Sequence, residues 1–374
     1  MKILYWVSHE AYFWSHRAAL ARAAKAQGHE VLVMTWTQDE GARLAAEGFK
    51  PLPLRLRKGS INPFLDLVAL IGALRIYLRE KPDIVHHVAL KPVIYGSLAA
   101  RLAKVPGIVN ALAGLGHLFT AKDMRTTLLR GLVKAMLRLT LPGKNGRIIF
   151  QNPDDLARLA KEGLADKEHA VLIRGSGVDT QAFQPSPEPA GAPVFLLASR
   201  MLRSKGVPEF VEAARRLRAK GVAARFVLVG EGDPENPVSI PQAELDEWNK
   251  EGVVEYWGRR EDMPAVMSSS HVICLPTTYG EGVPKVLLEA AACGRPIVAT
   301  DIAGCREIVL HEENGLLVAP RDAGALEEAL HRLATNADLR VRMGLRGREI
   351  ALREFRQELV ARRTLELYAS LSNC

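Results

Sequence analysis

The residues best placed to do chemistry lie in the second half of this 374-residue chain. The segment Leu275–Gly294 reads LPTTYGEGVPKVLLEAAACG. An apolar strand ends at Leu275, and the loop after it carries Gly280, Glu281, Gly282 and Val283. Pro284 then opens a helix predicted to run to Cys293. Proline suits a first helical position, because its missing N–H would have no partner there. The remaining free N–H groups and the positive end of the helix dipole make an anion site suited to a diphosphate. Gly280 and Gly282 let backbone approach the anion closely. Glu289, on the second turn, can accept two ribose hydroxyls or pair with Lys285 one turn back. Glu281 either reaches the reacting end or is solvated. A second cluster begins with the strand Val194–Ala198, which leads into Arg200, with Lys205 and Gly206 in the next loop. Two cations at a strand's carboxyl end can neutralise a leaving diphosphate.

These residues need strand ends to hold them. Short apolar runs alternate with longer helical ones throughout. Ile3–Val7, Val31–Met34, Asp83–Val85, Ile108–Asn110 and Arg147–Phe150 lie in the first half. The second half has Val194–Leu197, Phe226–Val229, Val253–Tyr256, Val272–Leu275 and Pro296–Ala299. Strands separated by helices of 3.6-residue period predict parallel sheets covered on both faces. One helix is predicted over 15–27. Pro185, Pro187, Pro189 and Pro193 around Gly191 predict a linker within 179–193. The fold class is therefore α/β, with two doubly wound halves and ligands beyond the carboxyl ends of the strands, in a cleft between them.

Charge separates the halves. The net charge is +8, and residues 51–150 hold 16 Lys and Arg against 4 Asp and Glu. Residues 186–374 hold 24 against 27. A basic half beside a slightly acidic one suits a polyanionic partner or is simply a solvated face. Two stretches fit anionic lipid: Asn62–Lys81, preceded by Arg55, Arg57 and Lys58, and Arg125–Arg138, with Arg130, Lys134 and Arg138 at four-residue spacing. No run reaches the roughly 18 apolar residues of a membrane span. Four cysteines without a C-x-x-C pair fit buried thiols in a reducing, cytosolic compartment. No D-x-D and no zinc spacing appears, so no metal or other cofactor is expected. Absence of G-x-G-x-x-G and of G-x-x-x-x-G-K-[ST] argues against nicotinamide, flavin and ATP-hydrolysing enzymes.

The run EGVPKVLLEAAACGRPIVATDIAGCREIV resembles the signature of family-4 retaining glycosyltransferases, with Glu281 and Glu289 as its E-x7-E pair. Arg200, Lys205 and Gly206 match R-x-x-x-x-K-G. Gly175–Asp179 and Asn314–Val318 are also similar. The resemblance implies the GT-B fold: two Rossmann-like doubly wound domains, 1–178 and 190–352, with a helix in 353–374 crossing back to the first. It implies Arg200 and Lys205 on the donor diphosphate and Glu281 on the transferred sugar. Glu289 would take the ribose beside Gly282, Val283 and Pro284, and Gly258 and Arg259 would lie against the base. The glycine-rich loop expected after the first strand is replaced by a stretch ending in His16. Ala113 stands where many members carry a histidine, with His117 nearby. In these features, and in the stretch from Pro82 to Gly96, the sequence is similar to bacterial members acting on polyprenyl-diphosphate-linked sugars.

The expected function is retaining, metal-independent transfer of an N-acetylhexosamine or hexose from a UDP-sugar to a polyprenyl-diphosphate-linked saccharide. Such transfer serves bacterial surface-glycan or glycoprotein-glycan assembly. The enzyme would be peripheral on the inner membrane face, with His16, His87, Lys91 and His117 on the acceptor side. Lys91 would meet the acceptor diphosphate, and His87 would orient its hydroxyl, unless His86 and His87 are simply a strand end with one satisfied core histidine. One rival is a UDP-sugar epimerase or hydrolase of the same fold. Another is a nucleic-acid-binding protein on a degenerate enzyme fold, but its basic patch lacks interleaved aromatics that stack bases, so no nucleic-acid partner is expected.

Overall fold

In the computed structural model the apolar runs become two parallel sheets. Residues 1–37, 41–56, 62–112, 124–140, 145–166, 168–234, 236–278 and 280–372 are described. The first sheet contains β1 (Lys2–Trp6), β2 (Glu30–Thr35), β3 (Lys50–Pro53), β4 (Ile84–Val88), β5 (Gly107–Leu112), β6 (Gly146–Phe150) and β7 (Ala170–Leu172), in the order 3-2-1-4-5-6-7. The second contains β8 (Val194–Ala198), β9 (Arg225–Val229), β10 (Glu255–Tyr256), β11 (Val272–Leu275), β12 (Ile297–Thr300) and β13 (Gly315–Val318), in the order 10-9-8-11-12-13. Every residue of β4, β5 and β8 is buried, as expected of strands covered on both faces. The order reverses between β1 and β4 in one sheet and between β8 and β11 in the other. Such reversals open a crevice at the carboxyl ends of the strands.

The chain forms two units, one of Met1–Gly177 with the final helix Gln357–Ser372, the other of Val178–Arg356. The proline-rich stretch is not a loose connection, and this differs from the expected linker. Its residues belong to the second unit, where buried cations bond to them. Arg340 pairs with Glu188 through both guanidinium arms at 2.8 Å, and Arg295 donates to Ser186 Oγ and to the Pro187 carbonyl. Residues 353 and 354 end the helix Ala337–Glu354, so the returning helix begins only at Gln357.

Two helices also differ from the sequence reading. The stretch 15–27 is two helices, Glu10–His16 and Ala18–Ala26, which break at Arg17 with φ −127° and ψ −17°. The break carries Arg17 inward, and it is buried. The helix expected from Pro284 to Cys293 runs Lys285–Ala292. Pro284 is its N-cap, in extended conformation with ψ 121°.

Candidate functional site

At the strand-order reversal of the second unit, the loops after β8 and β11 lie side by side. The amide of Thr278 donates to Ser204 O at 2.9 Å, and the Thr277 hydroxyl lies 3.1 Å from the same carbonyl. Gly206 makes this approach possible. Its φ is +77°, and a Cβ there would overlap the Pro276 carbonyl. Gly304 plays the same part behind the other arm, since its Cβ would overlap the carbonyl oxygen of Gly282. The Glu281–Pro284 loop therefore rests on bare backbone. Further along the sheet, Gly230 donates to Gly258 O at 2.8 Å and Met201 to Glu231 O at 2.9 Å, which ties together the loops after β8, β9 and β10. Gly258 has φ +65° with open space where a side chain would project. Arg259 beside it is exposed and meets Glu231 at 3.1 Å.

The electrostatics follow a simple pattern in which each expected cation already has a carboxylate. Lys205 Nζ is ion-paired with Glu281 Oε1, and both side chains are largely buried, 15% and 16% exposed. Thr277 Oγ1 stands 3.4 Å from the same Glu281 oxygen. Arg200 pairs with Asp233 at 2.7 Å. Lys285 lies 3.6 Å from Glu289, the one-turn pair allowed by the sequence. Burial raises the Glu289 pKa above the usual carboxylate value, and Lys285 offsets part of that rise. Pro284 offers no side-chain acceptor to the helix it caps, so the cap residue itself does not satisfy the first amides of that helix. Among the described residues, no three of His, Cys, Asp and Glu gather as they would around a metal ion.

The expected acceptor residues of the first unit do not come together as the sequence reading placed them. His87 is a core residue and not a site residue. It is fully buried in β4, its Nε2 is 2.9 Å from the Tyr77 hydroxyl and its Nδ1 is 2.8 Å from Asn110 Oδ1. Burial pushes its pKa down to about 4. Gly96 packs against the ring, where a Cβ would collide. Lys91 meets Asp66 at 2.7 Å, and the Tyr95 hydroxyl donates to the other oxygen of that carboxylate. His16 ends the first helix, stacked on Tyr12 with ring centroids 4.2 Å apart. His117 and Ala113 lie outside the described residues. On the helix Met124–Thr140, Lys134 pairs with Glu162 at 2.9 Å and Arg138 donates to the Glu162 carbonyl. These two cations are thus engaged by the protein itself.

Comparison with known proteins decides what this loop arrangement belongs to. The model for "Glycosyl transferases group 1" matches residues 192–336, and that for "Glycosyl transferase 4-like" matches residues 2–152. The chain belongs to these glycosyltransferases. It is 29% identical to the N,N'-diacetylbacillosaminyl-diphospho-undecaprenol alpha-1,3-N-acetylgalactosaminyltransferase of Campylobacter jejuni, over 96% of both chains. It is 27% identical to the UDP-Gal:alpha-D-GlcNAc-diphosphoundecaprenol alpha-1,3-galactosyltransferase of Escherichia coli, over 75% of this chain and 74% of the relative. The glycosyltransferase has the GT-B fold. Anabaena Alr3699/HepE, solved with UDP and glucose, superposes with a TM-score of 0.80 at 18% identity, covering 99% of this chain and all of the other. Sucrose-phosphate synthase from Thermosynechococcus elongatus gives 0.81 at 21% identity, covering 99% of each.

Sequence reasoning about the glycosyltransferase missed the partners more than the principals. Asp233 lacks a motif of its own, and only the fold brings it to Arg200, whereas Thr277 lies in the quoted loop four residues before Glu281. Gly304 carried a signal, since it stands in the signature run. Its packing role is visible only once the Gly282 carbonyl is seen above it.

Proposed function

We propose that the protein transfers a sugar from UDP to a saccharide carried on a polyprenyl diphosphate, with retention and without a metal ion. The observation that carries this reading is the likeness, over 96% of both chains, to an enzyme whose name specifies a diphospho-undecaprenol acceptor. The second unit supports the donor side. Arg200 and Lys205 would share their charge with the leaving diphosphate, and the N-terminal end of the helix Lys285–Ala292 would face it with the positive end of its dipole. Glu289 would accept from the ribose, and Gly258 leaves room for the base beside Arg259. Glu281 would bind the sugar's hydroxyls while holding Lys205 in place. The bond from the sugar's anomeric carbon to the diphosphate breaks, and the bond to the acceptor oxygen forms on the same face. The acceptor's proton passes to the leaving diphosphate.

The membrane contact in this reading rests on one helix. Along Pro63–Glu80, Phe64, Leu67, Val68, Ile71 and Leu78 are exposed on successive turns, with Phe64 at 77%, and Arg75 and Arg79 are exposed on the same helix. An exposed apolar stripe with cations beside it, Arg79 shared with Glu80 at 2.9 Å, suits the anionic surface of a bilayer. No described helix is long and apolar enough to cross one.

The test is a panel of UDP-sugars offered with a polyprenyl-diphosphate-linked N-acetylhexosamine. The expected product is an α-linked disaccharide on the lipid, identified by mass spectrometry and NMR. Release of free sugar without an acceptor would favour the epimerase or hydrolase. In flotation with anionic liposomes, replacing Phe64, Leu67 and Val68 by Ser should release the protein, while replacing Lys134 and Arg138 by Gln should change little.

A further inference from the structure

The first unit contains a pocket whose lining includes His16, of the expected acceptor residues, and it holds an unbalanced charge. Arg17 lines it at the break between the two first helices, 6% exposed. Its Nη1 donates to the carbonyl of His16 at 3.0 Å, and its Nε has no hydrogen-bond partner. No carboxylate among the described residues pairs with it, although Arg200, Lys205 and Lys285 in the other unit each have one. A guanidinium stays charged at any physiological pH, and burying one without a counter-charge costs folding free energy. His86 lines the same pocket with its Nε2 buried and unpartnered, while its Nδ1 bonds the Tyr368 hydroxyl. Burial first, and Arg17 second, hold the His86 pKa well below its ordinary value, so the ring is neutral. With Nδ1 engaged by Tyr368, Nε2 is the ring nitrogen left for a ligand.

The rest of the lining suits an anion too. His16, Gln151 and Ser176 bring further polar groups. Ser176 sits between Gly175 and Gly177, whose φ values of +68° and +77° let that loop lie against the start of the returning helix at Gln357. Gln357 also lines the pocket, which places the positive end of that sixteen-residue helix there. A fixed guanidinium fork with hydroxyl and amide donors matches the oxygens of a phosphoryl group.

We propose that this pocket binds a phosphoryl group of the acceptor's diphosphate, with Arg17 as its counter-charge. The assignment rests on the lipid-linked-acceptor reading above and moves the acceptor's charge contact from Lys91 to Arg17. Lys91 already has Asp66, and the candidate groups for the donor diphosphate all lie in the second unit.

The test measures binding of farnesyl diphosphate and of UDP to the full chain by calorimetry, with acceptor kinetics alongside. Arg17→Gln should weaken farnesyl diphosphate and raise the acceptor KM by roughly 10- to 100-fold, with kcat and UDP affinity within about threefold of wild type. Farnesol, which lacks the charge, should bind neither protein differently. Because a buried arginine variant can misfold, Gln151→Glu provides a second route. It places a carboxylate in the pocket, so it should hold or raise the melting temperature while abolishing farnesyl diphosphate binding. If both variants keep wild-type acceptor KM in an enzyme that transfers to lipid-linked acceptors, the pocket assignment is wrong and the functional reading stands. A parallel loss of UDP affinity would give the pocket to the donor and overturn the assignment. A wild-type enzyme that transfers to no diphosphate-linked acceptor would remove the functional reading itself.

Discussion

The candidate anion sites of the two units differ in how their cations are balanced. In the second, Arg200, Lys205 and Lys285 each rest against a carboxylate, and the loops that carry them are locked by backbone contacts at Gly206, Gly230 and Gly304. In the first, Arg17 is buried with no carboxylate partner among the described residues, while Lys91, the cation singled out by sequence, is balanced by Asp66. A charge-balanced site is stable before its ligand arrives, and the ligand's phosphates must then share the cations with the protein's own acids. An unbalanced site is costly until an anion fills it. The difference teaches that an expected anion contact must be checked for its resting partner before a role is given to it.

The largest expected effect breaks the comparison at Glu281. Glu281→Gln should lower kcat by roughly 10²–10³-fold, as when one preorganised polar group is lost from a transition state. UDP affinity should change little, because Lys205 remains. Near-wild-type turnover would remove Glu281 from the site. The next effect separates core from site in the first unit. His87→Ala leaves the Tyr77 hydroxyl and Asn110 without their buried partner, so stability should fall by about 2–4 kcal/mol in chemical denaturation. The acceptor KM of the folded fraction should be unchanged, and a KM effect would return His87 to the acceptor.

Smaller effects sharpen the picture of the second unit. Gly304→Ala pushes against the Gly282 carbonyl and should cost about 1–3 kcal/mol of stability together with UDP affinity. A neutral result would mean the loop after β11 is not held from behind. The smallest concerns Glu289. Its folded-state pKa is raised by burial, so its ionised form is disfavoured in the fold and lowers stability above that raised pKa. Glu289→Gln should therefore be more stable than wild type at neutral pH, with the gap closing as pH falls through the raised pKa towards the ordinary carboxylate range. UDP should bind the variant more weakly throughout. A gap that widens in acid would reverse the sign and the assignment of burial as its cause.

The amino-acid sequence by itself determined the two parallel-sheet halves and the second-unit loop. Strand and helix patterning is local, and the signature puts Glu281, Gly282, Pro284 and Glu289 within one short stretch of chain. Arg200 and Lys205 were legible for the same reason, since they follow a strand whose end is obvious from its apolar run. The first unit was read less well. His87 looked like a strand-end histidine, yet Tyr77 and Asn110, brought to it from a helix and a neighbouring strand, make it part of the core. Arg17 falls inside the single helix predicted over 15–27, with no role assigned to it there. Only the break in that helix turned it inward, and only the surrounding packing left it without an acid among the described residues. Which charge is balanced and which is not is a sum over neighbours distant in sequence. That sum exists only when the chain is folded.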